Sequence, residues 1–315
     1  MTAKVFIDGE AGTTGLGIRE RLATRRDLTL VSIDRSMRRD PRERRRHLNE
    51  ADVVILCLPD QAAREAVDLV ESPDVRIIDA STAHRVDAGW TYGFPEMAAG
   101  QRQAIAVSKR ISNPGCYPTG FIALVRPLVG AGLLPADWPV SVHAVSGYTG
   151  GGRPMIDAFE NPAAADHTGD AYRIYALSLA HKHAPEMQLC SGLTRRPLFS
   201  PAVGRWRQGM IVEVPLHLRA LPGTPSLADL QSALEGAYRG EPFVQVAPLA
   251  ESSSMTSLDP EGLNGSNMMR LMVFGSAEHG HARLVALLDN LGKGASGAAV
   301  QNLNLILGLG ETTRL

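Results

Sequence analysis

The sequence predicts an α/β protein of two domains, the first built on a parallel sheet and the second an α+β layer around a largely antiparallel or mixed sheet. Three observations carry this. The chain has 315 residues, more than one hydrophobic core ordinarily organises. Up to about residue 115, short and wholly apolar strand-like runs alternate with helix-spaced segments, as in a sheet covered on both faces. Beyond that point the strand-like runs lengthen and several alternate apolar with polar residues, which suits a sheet with one face exposed.

The first elements come in order. Lys4 to Ile7 is apolar and rich in β-branched residues and reads as a strand; Leu16 to Leu22 has helical spacing. Between them, Gly9-Glu10-Ala11-Gly12-Thr13-Thr14-Gly15 repeats glycine every third residue. Glycines in such a turn let backbone amides approach a pyrophosphate, so the segment is a variant of the Rossmann-type dinucleotide fingerprint. An ordinary glycine-rich turn would look the same in isolation, and the position after a first strand is what adds weight. Gly9, Gly12, Thr13, Thr14 and Gly15 are therefore candidate cofactor contacts. Glu10 is awkward beside a phosphate unless it points outward.

Leu28 to Ile33 is the second strand, and the residues after it bear on the cofactor. Asp34 stands where an acid can hold a ribose hydroxyl, yet Arg35, Ser36, Arg38 and Arg39 come immediately behind it, in a run of seven arginines and two acids that ends at Arg46. Arginine and serine there favour a 2′-phosphate, so NADP is the expected cofactor, with Arg35, Ser36 and Arg38 at the phosphate. Arg42 to Arg46 read equally well as a solvated basic loop. Asp52 to Leu58 and Val75 to Ile78 are further buried strands, with a helix from Gln61 to Val70 between them.

Ser112-Asn113-Pro114-Gly115-Cys116-Tyr117-Pro118-Thr119-Gly120 holds one cysteine on a tight turn ahead of a helical run from Thr119 to Val129. Unpaired N–H groups and the positive end of the helix dipole favour a thiolate at such a place. A small buried core cysteine is the competing reading. Val140 to Val145, Met210 to Leu218, Met268 to Phe274 and Ala282 to Leu288 are the longer strands, and Ser296 to Leu309 returns to helical periodicity. That last helix is expected to pack back on the first domain.

Composition narrows the function. Hydrophobic residues make up 44% and charged residues 21%, with a formal net charge of −1, so no overall basic bias points to nucleic acid or a membrane surface. No apolar run reaches spanning length, and the N-terminus reads straight into a strand with no leader-like segment. Cys57, Cys116 and Cys190 lack paired spacing or a companion metal pattern, which suggests a reducing compartment, the cytoplasm.

Three later clusters add chemistry. Ser146-Gly147-Tyr148-Thr149-Gly150-Gly151-Gly152 ends a strand in a loop whose amides could surround a substrate or oxyanion, or could simply be a mobile surface turn. His181-Lys182-His183-Ala184-Pro185-Glu186 gathers two imidazoles and a carboxylate, suited to proton transfer; no nearby cluster completes a metal shell, so no metal is expected. Asn290-Leu291-Gly292-Lys293-Gly294-Ala295-Ser296-Gly297 leads to Val300-Gln301-Asn302, an entry to the last helix that could close over a nicotinamide or only cap the helix.

Taken together, Gly9-x-x-Gly12-x-x-Gly15, Asn113-Pro114-Gly115-Cys116-Tyr117-Pro118-Thr119, Ser146-Gly147-x-x-Gly150, His181-Lys182-His183-x-Pro185-Glu186 and Lys293-Gly294-Ala295-Ser296-Gly297 resemble the N-acetyl-gamma-glutamyl-phosphate reductase family of arginine biosynthesis, along the whole chain and in order. The length, Asp8-Gly9-Glu10 and Asp79-Ala80-Ser81-Thr82-Ala83-His84-Arg85 resemble its shorter form.

The resemblance implies a dinucleotide-binding domain over residues 1–115, completed by the C-terminal helix at about 293–315. It also implies a catalytic and oligomerisation domain of the glyceraldehyde-3-phosphate dehydrogenase-like type over 116–292, in a homo-oligomer, dimer or tetramer. The implied reaction reduces N-acetyl-glutamyl 5-phosphate with NADPH through a Cys116 thioester. His181 is the expected acid/base, oriented by Glu186 or His183, the two histidines being inseparable by sequence. Arg85, Asn113, Ser146 and Gly147 are expected at the substrate; Arg85 could equally be a surface ion pair. Ser81, Gly150 and Asn302 are expected at the cofactor. Reduction of an aspartyl or aminoadipyl phosphate is the nearest alternative; a cysteine-dependent acyl transferase or hydrolase, or a non-catalytic dinucleotide sensor, are more distant ones.

Overall fold

The computed structural model describes residues 2–34, 36, 37 and 40–315. The chain divides into two compact units: Met1–Pro95, Ala99–Pro114 and Ala295–Leu315 form the first, Glu96–Ala98 and Gly115–Gly294 the second.

The first unit runs β1 (Ala3–Asp8), α1 (Thr13–Leu22), β2 (Leu28–Val31), α2 (Pro41–Glu50), β3 (Val53–Leu56), α3 (Asp60–Asp68), β4 (Arg76–Asp79), β5 (Thr91–Tyr92), α4 (Gln101–Val107) and β6 (Arg110–Ser112), with α10 (Gly297–Ile306) returning from the end of the chain. Its strands lie in the order β2-β1-β3-β4-β6-β5, and every ladder is parallel. The period of two in each strand divides its apolar residues between two covers. Val5, Ile7, Val53, Ile55 and Ile78 pack with Ile18 and Leu22 of α1 and Ala299, Val300 and Leu303 of α10. Phe6, Val54, Leu56 and Ile77 pack with Leu48 of α2 and Ala63 and Ala66 of α3. This is why the central strands read as largely apolar runs.

One expectation fails here. Arg42 to Arg46 do not form a loop but lie within α2. Asp40 caps the helix, accepting from the Arg42 N–H at 2.8 Å, and Pro41 supplies a pre-set first residue. The arginines find anions: Arg44 donates to Asp8 at 2.8 Å, Arg46 to Glu43 at 2.7 Å, and Arg45 to Glu71.

The second unit runs α5 (Cys116–Gly130), β7 (Ser141–Gly147), α6 (Gly152–Glu160), β8 (Tyr172–Ile174), α7 (Ala184–Ser191), β9 (Leu198–Gly204), β10 (Met210–His217), α8 (Leu227–Tyr238), β11 (Val244–Val246), α9 (Leu249–Ser254), β12 (Met269–Ser276) and β13 (His281–Leu288). The sheet order is β11-β12-β13-β10-β7-β9-β8. Its ladders are antiparallel except β7 with β9 and β11 with β12, which are parallel, so the sheet is mixed. α5 is buried from Tyr117 through Val125. It approaches the sheet closely at Gly120, where a Cβ would stand 3.0 Å from Val212 and 3.2 Å from Ala286. Among the described residues no helix is long and apolar enough to cross a membrane.

Candidate active site

In the first unit the glycine loop joins β1 to α1. Gly9 has φ of +90°, and a Cβ there would fall 2.3 Å from the Cys57 carbonyl oxygen; at Gly15 it would fall 2.5 Å from the Gly9 carbonyl oxygen. Both glycines are therefore required by backbone on backbone. Gly12 differs, its nearest neighbour being 3.5 Å away, so its lack of a side chain leaves space rather than filling it. Gly12 is the N-cap of α1 with no side-chain cap, and the first turn, with half-buried Thr13 and Thr14, carries no acid. Open N–H groups at the positive end of a helix suit a pyrophosphate.

Glu10 would be awkward beside a phosphate, and its carboxylate is held elsewhere. It is buried, and its Oε2 accepts from Arg19 Nη1 at 3.1 Å and Ser32 Oγ at 2.9 Å, which draws the carboxylate away from the open amides and partly offsets its charge. Ser36 donates from its N–H and Oγ to Asp34 Oδ1 at 2.8 and 2.5 Å. Arg35 and Arg38 lie outside the described residues. Asp8, buried beside the loop, has its carboxyl raised above the usual carboxylate range by burial, against the lowering effect of Arg44.

Downstream in the same unit, the polar residues hold one another. Asp79 is fully buried and accepts from the Ser81 N–H at 2.9 Å, Ser81 Oγ at 2.8 Å and His84 Nδ1 at 2.7 Å. Arg85 donates through Nε to the Asn113 carbonyl at 3.0 Å and through Nη2 to the Ala80 carbonyl at 3.1 Å. Asn302, fully buried, donates to the Gly93 carbonyl at 2.9 Å and to Asn113 Oδ1 at 3.1 Å, and Asn113 Nδ2 reaches the Ala295 carbonyl at 3.0 Å. These contacts fix the chain just before Pro114.

In the second unit α5 begins at Cys116 itself, three residues earlier than the helical spacing predicts, because Gly115 takes the N-cap conformation (φ −73°, ψ 152°). Cys116 is half-buried at the first helical position, and the first turn carries no acid. The Gly115 N–H donates to Glu186 Oε2 at 3.2 Å; Glu186 is almost wholly buried in the first turn of α7. The other cysteines are different in kind. Burial pushes the Cys57 thiol far up, helped by Asp79 and Asp8, and pushes Cys190 up to about 12, helped by Glu186.

The two histidines, inseparable by sequence, take distinct parts. The His183 main-chain N–H donates to His181 Nδ1 at 3.0 Å, so a neutral His181 carries its proton on Nε2. His183 is buried and caps α7. The His181 ring stands edge-on to Tyr117, Tyr175, His183 and Phe199, with centroids 6.0, 5.7, 4.7 and 5.0 Å away. Tyr117 and Tyr175, which pack against it, also lie close enough to Cys116 to feel its charge. Burial raises both phenols and the charge of Cys116 raises them further, Tyr175 to about 12. Their hydroxyls meet at 3.1 Å, and Tyr117 also touches Ser146 Oγ at 3.0 Å and the Ala202 carbonyl at 3.1 Å.

Ser146 is thereby tied to the residue after Cys116. Gly147 admits no side chain, since a Cβ would lie 2.5 Å from the Gln208 nitrogen, and at Gly150 it would lie 3.2 Å from Ser146 Oγ. Thr149 Oγ1 donates to the Arg207 carbonyl at 2.6 Å and accepts from Asn290 Nδ2 at 3.1 Å, so this loop is pinned rather than mobile. Among the described residues no group of three or more potential ligands could hold a metal ion. Sequence reasoning misses Tyr175 and Phe199, which no motif marks. Tyr117 lies inside the cysteine motif, and its place directly after Cys116 is the signal that could have given it a role.

The semialdehyde dehydrogenase dimerisation domain profile matches residues 116–290, and the semialdehyde dehydrogenase NAD binding domain profile matches 32–106. A protein of Brucella anthropi named N-acetyl-gamma-glutamyl-phosphate reductase is 58% identical over 309 residues, covering 98% of this chain and 99% of its own. One of the same name from Burkholderia ambifaria is 54% identical over 310 residues, covering 98% of each. Among solved structures, aspartate semialdehyde dehydrogenase II of Vibrio cholerae superposes with a TM-score of 0.73 at 16% identity, over 98% of this chain and 99% of that one. Aspartate semialdehyde dehydrogenase of Candida albicans with NADP superposes with a TM-score of 0.64 at 14% identity, also over 98% and 99%. These two likenesses are of fold.

Proposed function

We propose, from the premise that this chain belongs to the N-acetyl-gamma-glutamyl-phosphate reductase family, that it reduces N-acetyl-L-glutamyl 5-phosphate to N-acetyl-L-glutamate 5-semialdehyde and phosphate. The observation that carries this is Cys116 at the first position of a buried helix with an acid-free first turn, its charge felt by Tyr117 and Tyr175, the two phenols that pack against His181. The glutamyl substrate is supported by relatives at 54 to 58% identity named for it; the aspartate enzymes share only the fold, at 14 to 16%.

The Cys116 thiolate attacks the acyl carbonyl, the C–O bond to phosphate breaks, and a thioester forms. The helix N-terminus supports the thiolate. Glu186, accepting from the Gly115 N–H, holds the turn that presents it. When bound, NADPH supplies the hydride that takes the thioester to the aldehyde level. The Nε2–H of His181 donates a hydrogen bond to the oxyanion of the tetrahedral species, which collapses with cleavage of the C–S bond to the semialdehyde and the Cys116 thiolate. Main-chain His183 keeps Nε2 as the donor.

For the cofactor, the open backbone at Gly12 and the uncapped start of α1 fit a pyrophosphate, with Gly9, Thr13, Thr14 and Gly15 around it. Ser36, Arg35 and Arg38 remain the proposed 2′-phosphate residues, and Ser81, Gly150 and Asn302 the proposed nicotinamide side. Arg85, Asn113, Ser146 and Gly147 remain the proposed substrate residues. The chain is proposed to act as a homo-oligomer, which the dimerisation domain match supports, and in the cytoplasm, where its thiols stay reduced.

The test is the reverse reaction, with phosphate and NADP, followed at the reduced nicotinamide band. N-acetyl-glutamate semialdehyde is expected to be preferred over aspartate semialdehyde by about a hundredfold or more in kcat/KM, and NADP over NAD. Comparable use of aspartate semialdehyde would overturn the substrate assignment.

A further inference from the structure

The second unit buries a lysine that the proposed reaction leaves unused. Lys293 is 1% exposed, and its Nζ lies 2.7 Å from Oε1 of Glu96, whose side chain is fully buried. The ammonium also stands 5.5 Å from the Phe243 ring. Lys293 sits on a single wide π-type turn, Gly292–Ser296, a rare conformation often found at functional sites.

The same turn forms a wall beside the nucleophile. Gly294 comes directly after Lys293, and a Cβ on it would lie 2.8 Å from Cys116 Cβ and 3.2 Å from Cys116 Cα. The turn is anchored at its start, where Asp289, fully buried, accepts from the Leu291 and Gly265 N–H groups at 2.8 and 2.9 Å and from Gln208. The Gly294 N–H donates to the Asp289 carbonyl at 3.0 Å. Side chains also hold the turn further on: Lys293 through Glu96, Ala295 through Asn113 Nδ2 at 3.0 Å, and Ser296 through Arg21 at 2.9 Å.

A buried ion pair is a poor source of stability, because desolvation of both charges offsets their attraction and an apolar pair often does as well; its best-attested use is to fix a register. We propose that the Lys293–Glu96 pair is a positioning device for Cys116. It sets the register of the turn, the turn sets Gly294 against the cysteine, and the sulfur is thereby held in one orientation. This rests on the reading of Cys116 as the nucleophile.

The test is alkylation of Cys116 by iodoacetamide without substrate or cofactor, with mass spectrometry of its peptide, in wild type and in a Lys293→Met, Glu96→Leu double variant. The double variant is expected to unfold within a few degrees of wild type, yet its Cys116 alkylation rate should change at least fivefold. In the reverse reaction kcat should fall by a similar factor, with KM for the semialdehyde within twofold. Gly294→Ala, which leaves both charges in place, should change the alkylation rate as well. Wild-type alkylation and kcat in a stable double variant would overturn the proposal. So would a double variant that cannot fold, since the pair would then be a requirement of folding, or unaltered alkylation in Gly294→Ala. Loss of the nucleophile reading is separate: it would show as activity retained in Cys116→Ser, whatever the alkylation rates.

Discussion

His181 and His183 are joined by one directional bond: the His183 N–H donates to His181 Nδ1 at 3.0 Å. Because a main-chain N–H can only donate, the acceptor nitrogen is fixed, and the exchangeable proton of neutral His181 lies on Nε2. His181→Asn is therefore expected to lower kcat in the reverse reaction by about 10² to 10⁴, while the NADP dissociation constant, read by fluorescence quenching, stays within twofold. A change confined to cofactor binding would count against a His181 role at the reacting oxygen. His183→Ala, which keeps the donating N–H, should cost much less rate.

The glycine loop separates folding from binding. Gly9→Ala would place a Cβ 2.3 Å from the Cys57 carbonyl oxygen at a φ of +90°, a strain of about 1–3 kcal/mol or more, so calorimetry should show a Tm several degrees lower. Gly12→Ala meets nothing closer than 3.5 Å and has an ordinary φ of −77°. Its Tm should hold while NADP affinity falls by about tenfold or more, since the new methyl occupies the proposed phosphate approach.

The two phenols bear on alkaline stability. Tyr175 ionises at about 12 in the folded protein, against an ordinary value of 10. With the folded value raised, the unfolded chain loses this proton first as pH rises. The stabilisation is complete below pH 10 and is lost between about pH 10 and 12, amounting to roughly 2–3 kcal/mol at 1.36 kcal/mol per pH unit. Tyr117 acts in the same sense. Urea unfolding at pH 9 and pH 11 should show wild type losing stability over this interval and Tyr175→Phe losing less. Equal slopes would contradict the burial of Tyr175.

Local signals were legible and long-range ones were not. Cys116 could be read because turn, glycine and helix start lie within a few residues, although the helix begins at the cysteine itself. The central strands of the first unit could be read because both faces are covered, so β3, Val53–Leu56, is apolar throughout and β1 nearly so. Helix α2 escaped because its apolar anchor is essentially Leu48 and its arginines are satisfied by Asp8 and Glu71, distant in sequence. Tyr175 and Phe199 escaped for the same reason: they meet His181 only through the fold. Likewise, nothing in the spacing indicates that Asn302 is wholly buried against Asn113 and Gly93.

The most direct test of covalent catalysis at Cys116 is a stopped-flow burst. Enzyme is mixed with N-acetyl-glutamate semialdehyde and NADP without phosphate, so that the thioester can form but cannot be released to phosphate. A burst of reduced nicotinamide equal to about one per subunit is expected, with an acyl group on the Cys116 peptide by mass spectrometry and neither in Cys116→Ser. A burst of the same size in Cys116→Ser, or full steady turnover in it with phosphate present, would contradict the thioester.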